Sequence, residues 1–221
     1  MSWLKQITNS SVGAKSIVAL TGLAMVGFVV GHLSGNLLVF GGPDAINGYA
    51  AWLRSKGGLL WGARLGLIAI TGLHIYFTIR LNLLNKQARP IAYAKKSYTK
   101  ASFASRTMVL SGLLSLSYIL FHLAHFTFRV TSPEIAALGH TDVYQMLILS
   151  FNSPLVAGTY IAAMVLLGLH LNHGLSSLFQ TLGLNHSKYN PMIRSIGPVL
   201  GSLLAAGFMS IPVSIMLGIL K

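Results

Sequence analysis

The sequence predicts an all-α integral membrane protein, a bundle of five transmembrane helices with its N-terminus in the cytoplasm. Three observations predict it. Mean hydropathy is +0.68, and only 9% of residues are charged, against about 25% in soluble domains. Five stretches, at roughly 16–40, 61–84, 107–129, 153–180 and 196–220, reach the ~20 mostly apolar residues that a spanning helix requires. The basic residues collect in alternate connections, as the positive-inside pattern demands. The five spans use most of the 221 residues. A single membrane domain, 1–221, is therefore expected, with no soluble domain of any size.

The first span is too long for the apolar core of a signal peptide, and no small-x-small cleavage site follows it. A retained helix is expected, ending at the turn signal Gly41-Gly42-Pro43. The loop to the second span holds Asn47, Gly48 and Gly57-Gly58. It also holds Tyr49, Trp52 and Trp61, suited to an interfacial aromatic belt. The second span runs into a basic connection near Asn85, where the polar stretch Ala94 to Ser105 reads as an interfacial helix or a docking loop. After Arg129 the chain turns at Ser132-Pro133. Asn152-Ser153-Pro154 reads as a cap with proline in the first turn of the fourth span. That span ends near Gly183. The fifth carries Pro198 near its start and Pro212 as an expected kink, and it contains no histidine.

The net charge of +13 is placed for a membrane rather than for nucleic acid. Lys5 and Lys15 precede the first span. Lys86, Arg89, Lys95, Lys96 and Lys100 lie between the second and third, flanked by Arg80 and Arg106. Lys188 and Arg194 lie between the fourth and fifth. All three acids, Asp44, Glu134 and Asp142, fall in the other connections. This puts the C-terminus outside. It also makes the cytoplasmic face purely basic, a surface that attracts anionic lipid or an acidic partner protein.

Four histidines, His32, His74, His122 and His170, sit deep in four different spans. An ionisable ring inside a bilayer is costly and points to function. His32 and His122 lie past the midpoints of outward-running helices, in the outer half. His74 and His170 lie past the midpoints of inward-running helices, in the inner half. Each is about five residues off centre, or ~7 Å at 1.5 Å per residue. Two levels roughly 15 Å apart follow. A lone intramembrane histidine serves equally well as a hydrogen-bonding strut, but an alternating set of four suggests two metal centres. The chain has no cysteine. Disulfides, thiolate-held iron–sulfur clusters and covalent haem attachment are thereby excluded. No carboxylate lies in any span, so hydrolytic zinc and di-iron chemistry lack a ligand or base. The set fits two non-covalent haems, each between two imidazoles, with macrocycle edges close enough for fast electron transfer.

His125 and His173 each sit one turn beyond a candidate ligand. They stand as alternative ligands, or as contacts to haem propionates or quinone. His140 and His186 lie in loops. Arg80 and Arg106, near the inner boundary, either neutralise propionates or mark the interface. Gly27, Gly31 and Gly35 near His32, Gly72 near His74, and Gly168 and Gly174 near His170 would admit a flat cofactor or a close helix. Finally, Thr21-Gly22 precedes His32 by the offsets at which Ser111-Gly112 precedes His122. This is a weak internal repeat, with hydroxyl residue and histidine three turns apart on one face.

These residues resemble a known family, the dihaem cytochrome b membrane anchor of succinate:quinone oxidoreductases, in its bacterial single-subunit, five-helix form. The resemblance covers essentially the whole chain. Thr21-Gly22 through Gly31-His32-Leu33 resembles the first-ligand helix, and His74 followed by Arg80 the second. Ser105-Arg106-Thr107-Met108 through Phe121-His122-Leu123-Ala124-His125-Phe126 resembles the third, and His170-Leu171-Asn172-His173-Gly174 the fourth. The resemblance favours His122 over His125 and His170 over His173. It implies two b haems as cofactors, a flavoprotein and an iron–sulfur subunit as cytoplasmic partners, and electron transfer to or from a membrane quinone, usually menaquinone. It implies residence in the bacterial cytoplasmic membrane, within a succinate dehydrogenase or fumarate reductase. Some members carry a glutamate two residues before the fourth ligand, used in transmembrane proton movement. Gly168 stands there, so that pathway does not carry over. Two other readings compete: a dihaem b anchor for a different respiratory oxidoreductase, and a transporter or channel that uses histidines for protons or metal ions.

Overall fold

The computed structural model describes residues 5, 8, 10–88, 91, 101–184 and 186–221. Arg89, Lys95, Lys96, Lys100 and most of the expected interfacial segment from Ala94 lie outside the described residues. The described elements are α1 (Ser11–Asn36), a 3-10 turn (Leu37–Gly41), α2 (Pro43–Ser55), α3 (Gly58–Gln87), α4 (Phe103–Arg106), α5 (Met108–His122), a π turn (Leu123–Thr127), α6 (Pro133–Ala137), α7 (Val143–Phe151), α8 (Pro154–Thr181) and α9 (Asn190–Met216). No strand occurs among the described residues. Five of these segments are long and apolar enough to cross a membrane: α1 with its 3-10 turn, α3, α5 with its π turn, α8 and α9. Helices suit that setting because every backbone group is satisfied within the segment.

The spans pair antiparallel. Thr21 meets His74 and Met25 meets Thr71 between α1 and α3. Ser111 meets His170 and His122 meets Tyr160 between α5 and α8. Lipid supplies no hydrophobic drive for helix association, so close packing must. The tightest seam joins α8 to α9. A Cβ on Gly201 would stand 2.8 Å from the Gly168 carbonyl oxygen, and a Cβ on Gly197 would collide with the Asn172 carbonyl. Only glycine lets these backbones touch. Gly168 is thus a helix-packing residue, and a side chain there would press on Ala205 and Gly201 of α9.

Two connections between the spans are helical. Pro43–Ser55 forms α2, with proline in its first turn and Asp44 facing the positive end of its dipole. Val143–Phe151 forms α7, capped by Asp142, whose carboxylate accepts from the Gln145 amide at 2.9 Å. Asn47 ties the two together. Its side-chain oxygen accepts from the amides of Val143 and Tyr144 at 2.8 and 3.0 Å, and its nitrogen donates to Asp142 at 3.1 Å. Val39, Ile46, Leu147, Ile148, Phe151, Ala157 and Tyr160 pack into a buried core beneath them. The helices α2 and α7 make this the capped end of the bundle. The other is the basic end. Among the described residues it carries Lys5, Lys15, Arg80, Lys86, Arg106, Lys188 and Arg194. The fifth span also starts earlier than expected, at Asn190. Pro191 occupies its first turn, and Pro198 and Pro212 lie inside one continuous helix.

Candidate functional site

The deep histidines fall into two groups, one per level. Toward the basic end, α3 presents His74 and α8 presents His170. His74 Nδ1 lies 3.1 Å from the hydroxyl of Thr21 on α1. That hydroxyl donates its own proton to the Ile17 carbonyl at 2.7 Å, with Val18 at 3.1 Å. It therefore accepts from His74, which fixes the proton on Nδ1 and leaves the Nε2 lone pair open. The same construction recurs at His170. Its Nδ1 lies 3.2 Å from Ser111 on α5, and the Ser111 hydroxyl donates to the Met108 carbonyl at 3.1 Å. Both rings are thus held in the tautomer that presents Nε2 to a metal, the arrangement an outer-shell partner normally enforces on a ligating histidine.

The glycines of the repeat complete this level. A Cβ on Gly22 would lie 3.4 Å from His74 Cε1, and one on Gly112 would lie 3.2 Å from His170 Cε1. Each Thr-Gly or Ser-Gly pair therefore seats the ring of a neighbouring span, not a ring of its own helix. The repeat was visible in the sequence. Its target was not, although depth arithmetic puts Thr21 of an outward helix at the height of His74 in an inward one.

Toward the capped end, His32 on α1 and His122 on α5 face each other with ring centroids 6.0 Å apart and planes at 87°. Two imidazoles that share one metal ion, at about 2 Å per metal–nitrogen bond, have ring centres about 6 Å apart. Aromatic rings set this level. Phe28 stacks on His32 at 5.3 Å, Phe208 approaches it at 6.0 Å, and Tyr118 and Phe126 flank His122 at 5.8 and 5.5 Å.

Tyr160 of α8 was not singled out from sequence. Its hydroxyl bridges two histidines, His125 Nδ1 at 2.9 Å and His122 Nδ1 at 3.4 Å. It can donate to one and accept from the other. His125 is 3% exposed, lies in the π turn and stacks on Phe126 at 4.2 Å. π turns recur at functional sites. His125 also lines a cavity of about 500 Å³ with Phe121, Glu134, Ser150 and Thr159. His173 is partly buried, one turn beyond His170. His186 accepts from the Lys188 amide at 3.3 Å, outside both levels. Arg80 donates to the Thr8 carbonyl at the basic end.

The glycines near the histidines separate into two kinds. Gly35 packs under the Tyr49 ring and Gly168 against α9, whereas Gly27, Gly31 and Gly72 face open space. Among the described residues no three His, Asp or Glu side chains converge as a metal cluster. The deep histidines come in twos. Two imidazoles suit an iron whose remaining four positions come from a porphyrin, and the paired rings, the open Nε2 atoms and the uncovered glycines fit a haem at each level.

Compared with protein-family models, with curated proteins and with solved structures, the chain finds no match.

Proposed function

We propose that the chain is a dihaem b membrane anchor that passes electrons between an iron–sulfur subunit and a membrane quinone in a succinate dehydrogenase or fumarate reductase. His74 and His170 would hold one haem toward the basic end, and His32 and His122 the other toward the capped end. Bound haem supplies a one-electron carrier that needs no proton movement in the low-dielectric bundle. The chain's own residues hold and orient. Thr21 and Ser111 keep the Nδ1 protons of His74 and His170, and Phe28, Phe126 and Phe208 wall the capped level against water.

The observation that carries the reading is the duplicated hydroxyl–imidazole construction. Two independent spans commit a hydroxyl proton to their own backbone and accept from a partner histidine, leaving Nε2 free both times. A histidine used only as a bundle strut gains nothing from having that second nitrogen kept open. The charge asymmetry supports placing the basic end in the bacterial cytoplasm, where flavoprotein and iron–sulfur partners would dock, with a quinone, of the menaquinone class by resemblance, as the membrane substrate.

A reduced-minus-oxidised absorption spectrum of the purified protein tests the reading. The expected result is the sharp α band of low-spin b haem, with two extractable haems per chain. A preparation with full helical content and no such band sinks it. Co-purification of soluble subunits tests the partner assignment separately.

A further inference from the structure

Away from both histidine levels, one cavity gathers positive charge. At the capped end a cavity of about 230 Å³ lies between the end of α2 and the start of α3, lined by Arg54, Gly57, Trp61, Arg64 and His140 among others. The Arg64 guanidinium lies over the Trp61 ring at 5.2 Å. Gly57 has φ 44, a conformation that favours glycine, and it leads into the N-terminus of a 30-residue helix. Such an end presents the positive pole of the dipole, with the Leu59 and Trp61 amides already bonded to the Lys56 and Gly57 carbonyls.

Arg129, two residues past the third span, carries a third guanidinium but does not line the cavity. Burial, and secondarily the positive charge of Arg54, hold Arg129 below its usual range. Arg129 Nε is buried without a hydrogen-bond partner. Arg129 is also the one non-glycine with positive φ among the described residues, at 57°, a conformation that persists only when the surroundings impose it.

Nothing negative answers this charge. Arg54, Arg64 and Arg129 form no ion pair among the described residues. Asp142 is occupied by Asn47 and the Gln145 amide. Glu134 lines the other cavity, and Asp44 sits ten residues before Arg54 on α2, or ~15 Å along the helix. Arginine forks match phosphate oxygens bidentately. Trp52 and Trp61 are more than half exposed, and so are Leu59, Leu65 and Ile68 of the same helix, a surface suited to acyl chains below an interfacial headgroup.

We infer that this cavity binds a phosphate group, and that the surrounding apolar surface suits the headgroup of an acidic phospholipid as its source. The inference stands independently of the haem assignment. The test uses the purified full chain, with any co-purifying subunits, in phosphatidylcholine nanodiscs titrated with phosphatidylglycerol, and native mass spectrometry counts retained lipid. Saturable, preferential retention of phosphatidylglycerol is expected. Arg54→Gln/Arg64→Gln should weaken it roughly tenfold to thirtyfold, from the loss of two interfacial cations. Lys15→Gln/Lys188→Gln at the basic end should lower only the non-saturable retention that a basic face gives and leave the saturable component unchanged.

Inorganic phosphate forms the second arm. If it binds as tightly as the lipid and displaces it, the phosphate chemistry stands and free phosphate is the source. Equal retention of phosphatidylcholine and phosphatidylglycerol by the unaltered protein, with no phosphate binding, overturns the inference whatever the variants do. So does undiminished retention in the double glutamine variant. Should that variant fail to fold, Arg54→Lys/Arg64→Lys keeps the charge and removes the forks, and a partial loss of retention is the supporting result, an unchanged one the overturning result.

Discussion

The two histidine levels solve one problem by different means. At the basic end each ring is held by a hydroxyl and a glycine from a neighbouring span, a polar contact of 3.1 or 3.2 Å that fixes the proton. At the capped end the rings are held by aromatic packing, and one tyrosine is shared between two histidines at 2.9 and 3.4 Å. A small hydroxyl can fix a tautomer in little space, so the basic level can sit where helices are closely paired. Aromatic walls fix ring position without fixing the proton, and they need the broader core that α2 and α7 build over Tyr160. Electrostatic definition is thus strongest at one level and steric definition at the other.

The largest expected effect separates ligand from neighbour. On the proposed reading His122→Ala leaves His32 without its opposite ring, and the haem content falls from two per chain to one. His125→Ala leaves both haems in place. Quantifying extracted haem against protein decides it. The reverse outcome would move the ligand into the π turn and make Tyr160 a partner of the metal-holding ring at 2.9 Å rather than 3.4 Å.

Next in size are the hydroxyls. Thr21→Val is close to isosteric, and Ser111→Ala removes one oxygen. Each should weaken haem retention at the basic level by about tenfold to hundredfold, the usual cost of an outer-shell partner, with the capped level spectroscopically intact. If both levels respond equally, the division between polar and aromatic support is wrong.

Tyr160→Phe is expected to act mainly on stability. It leaves the buried Nδ1 of His125 without a partner, which costs on the order of 1–3 kcal/mol. Two haems should remain, because the contact to His122 is long. Thermal unfolding in detergent, followed alongside the haem spectrum, separates the two effects. Loss of one haem with unchanged melting would show instead that Tyr160 sets the ligand rather than the packing.

Sequence reading reached different depths for different residues. The five spans were legible because length and apolarity are local properties, and the structure has five such helices within a few residues of the expected bounds. The pairing of His32 with His122 across 90 residues was legible because membrane depth turns sequence position into height. Pro43–Ser55 was read as a loop because its polar residues break the apolar signal, and Val143–Phe151 went unread because its apolar run of nine residues is too short to span. What holds them is Asn47 reaching the α7 amides some 95 residues away, which no local pattern encodes. Tyr160 was invisible for the same reason. It is an ordinary tyrosine in an apolar run until α5 is laid beside it.

The smallest expected effect probes whether the two halves of the Thr-Gly and Ser-Gly repeat are equivalent. At Gly22 an added methyl would meet His74 Cε1 at 3.4 Å, an ordinary contact. At Gly112 it would meet His170 Cε1 at 3.2 Å, closer than side-chain carbons normally approach. Gly22→Ala should therefore leave the basic level unchanged. Gly112→Ala should push the His170 ring by a few tenths of an ångström and tilt it against the Ser111 hydroxyl, because the α5 backbone cannot retreat from α8 without breaking that hydrogen bond. Electron paramagnetic resonance of the oxidised protein reads ligand-plane orientation directly. A shift in the basic-level signal for Gly112→Ala alone fits a seat built to van der Waals tolerance on one side only. A shift for both, or for neither, means the rings are positioned by something other than these two glycines, and the hydroxyls would then carry the whole of the orientation.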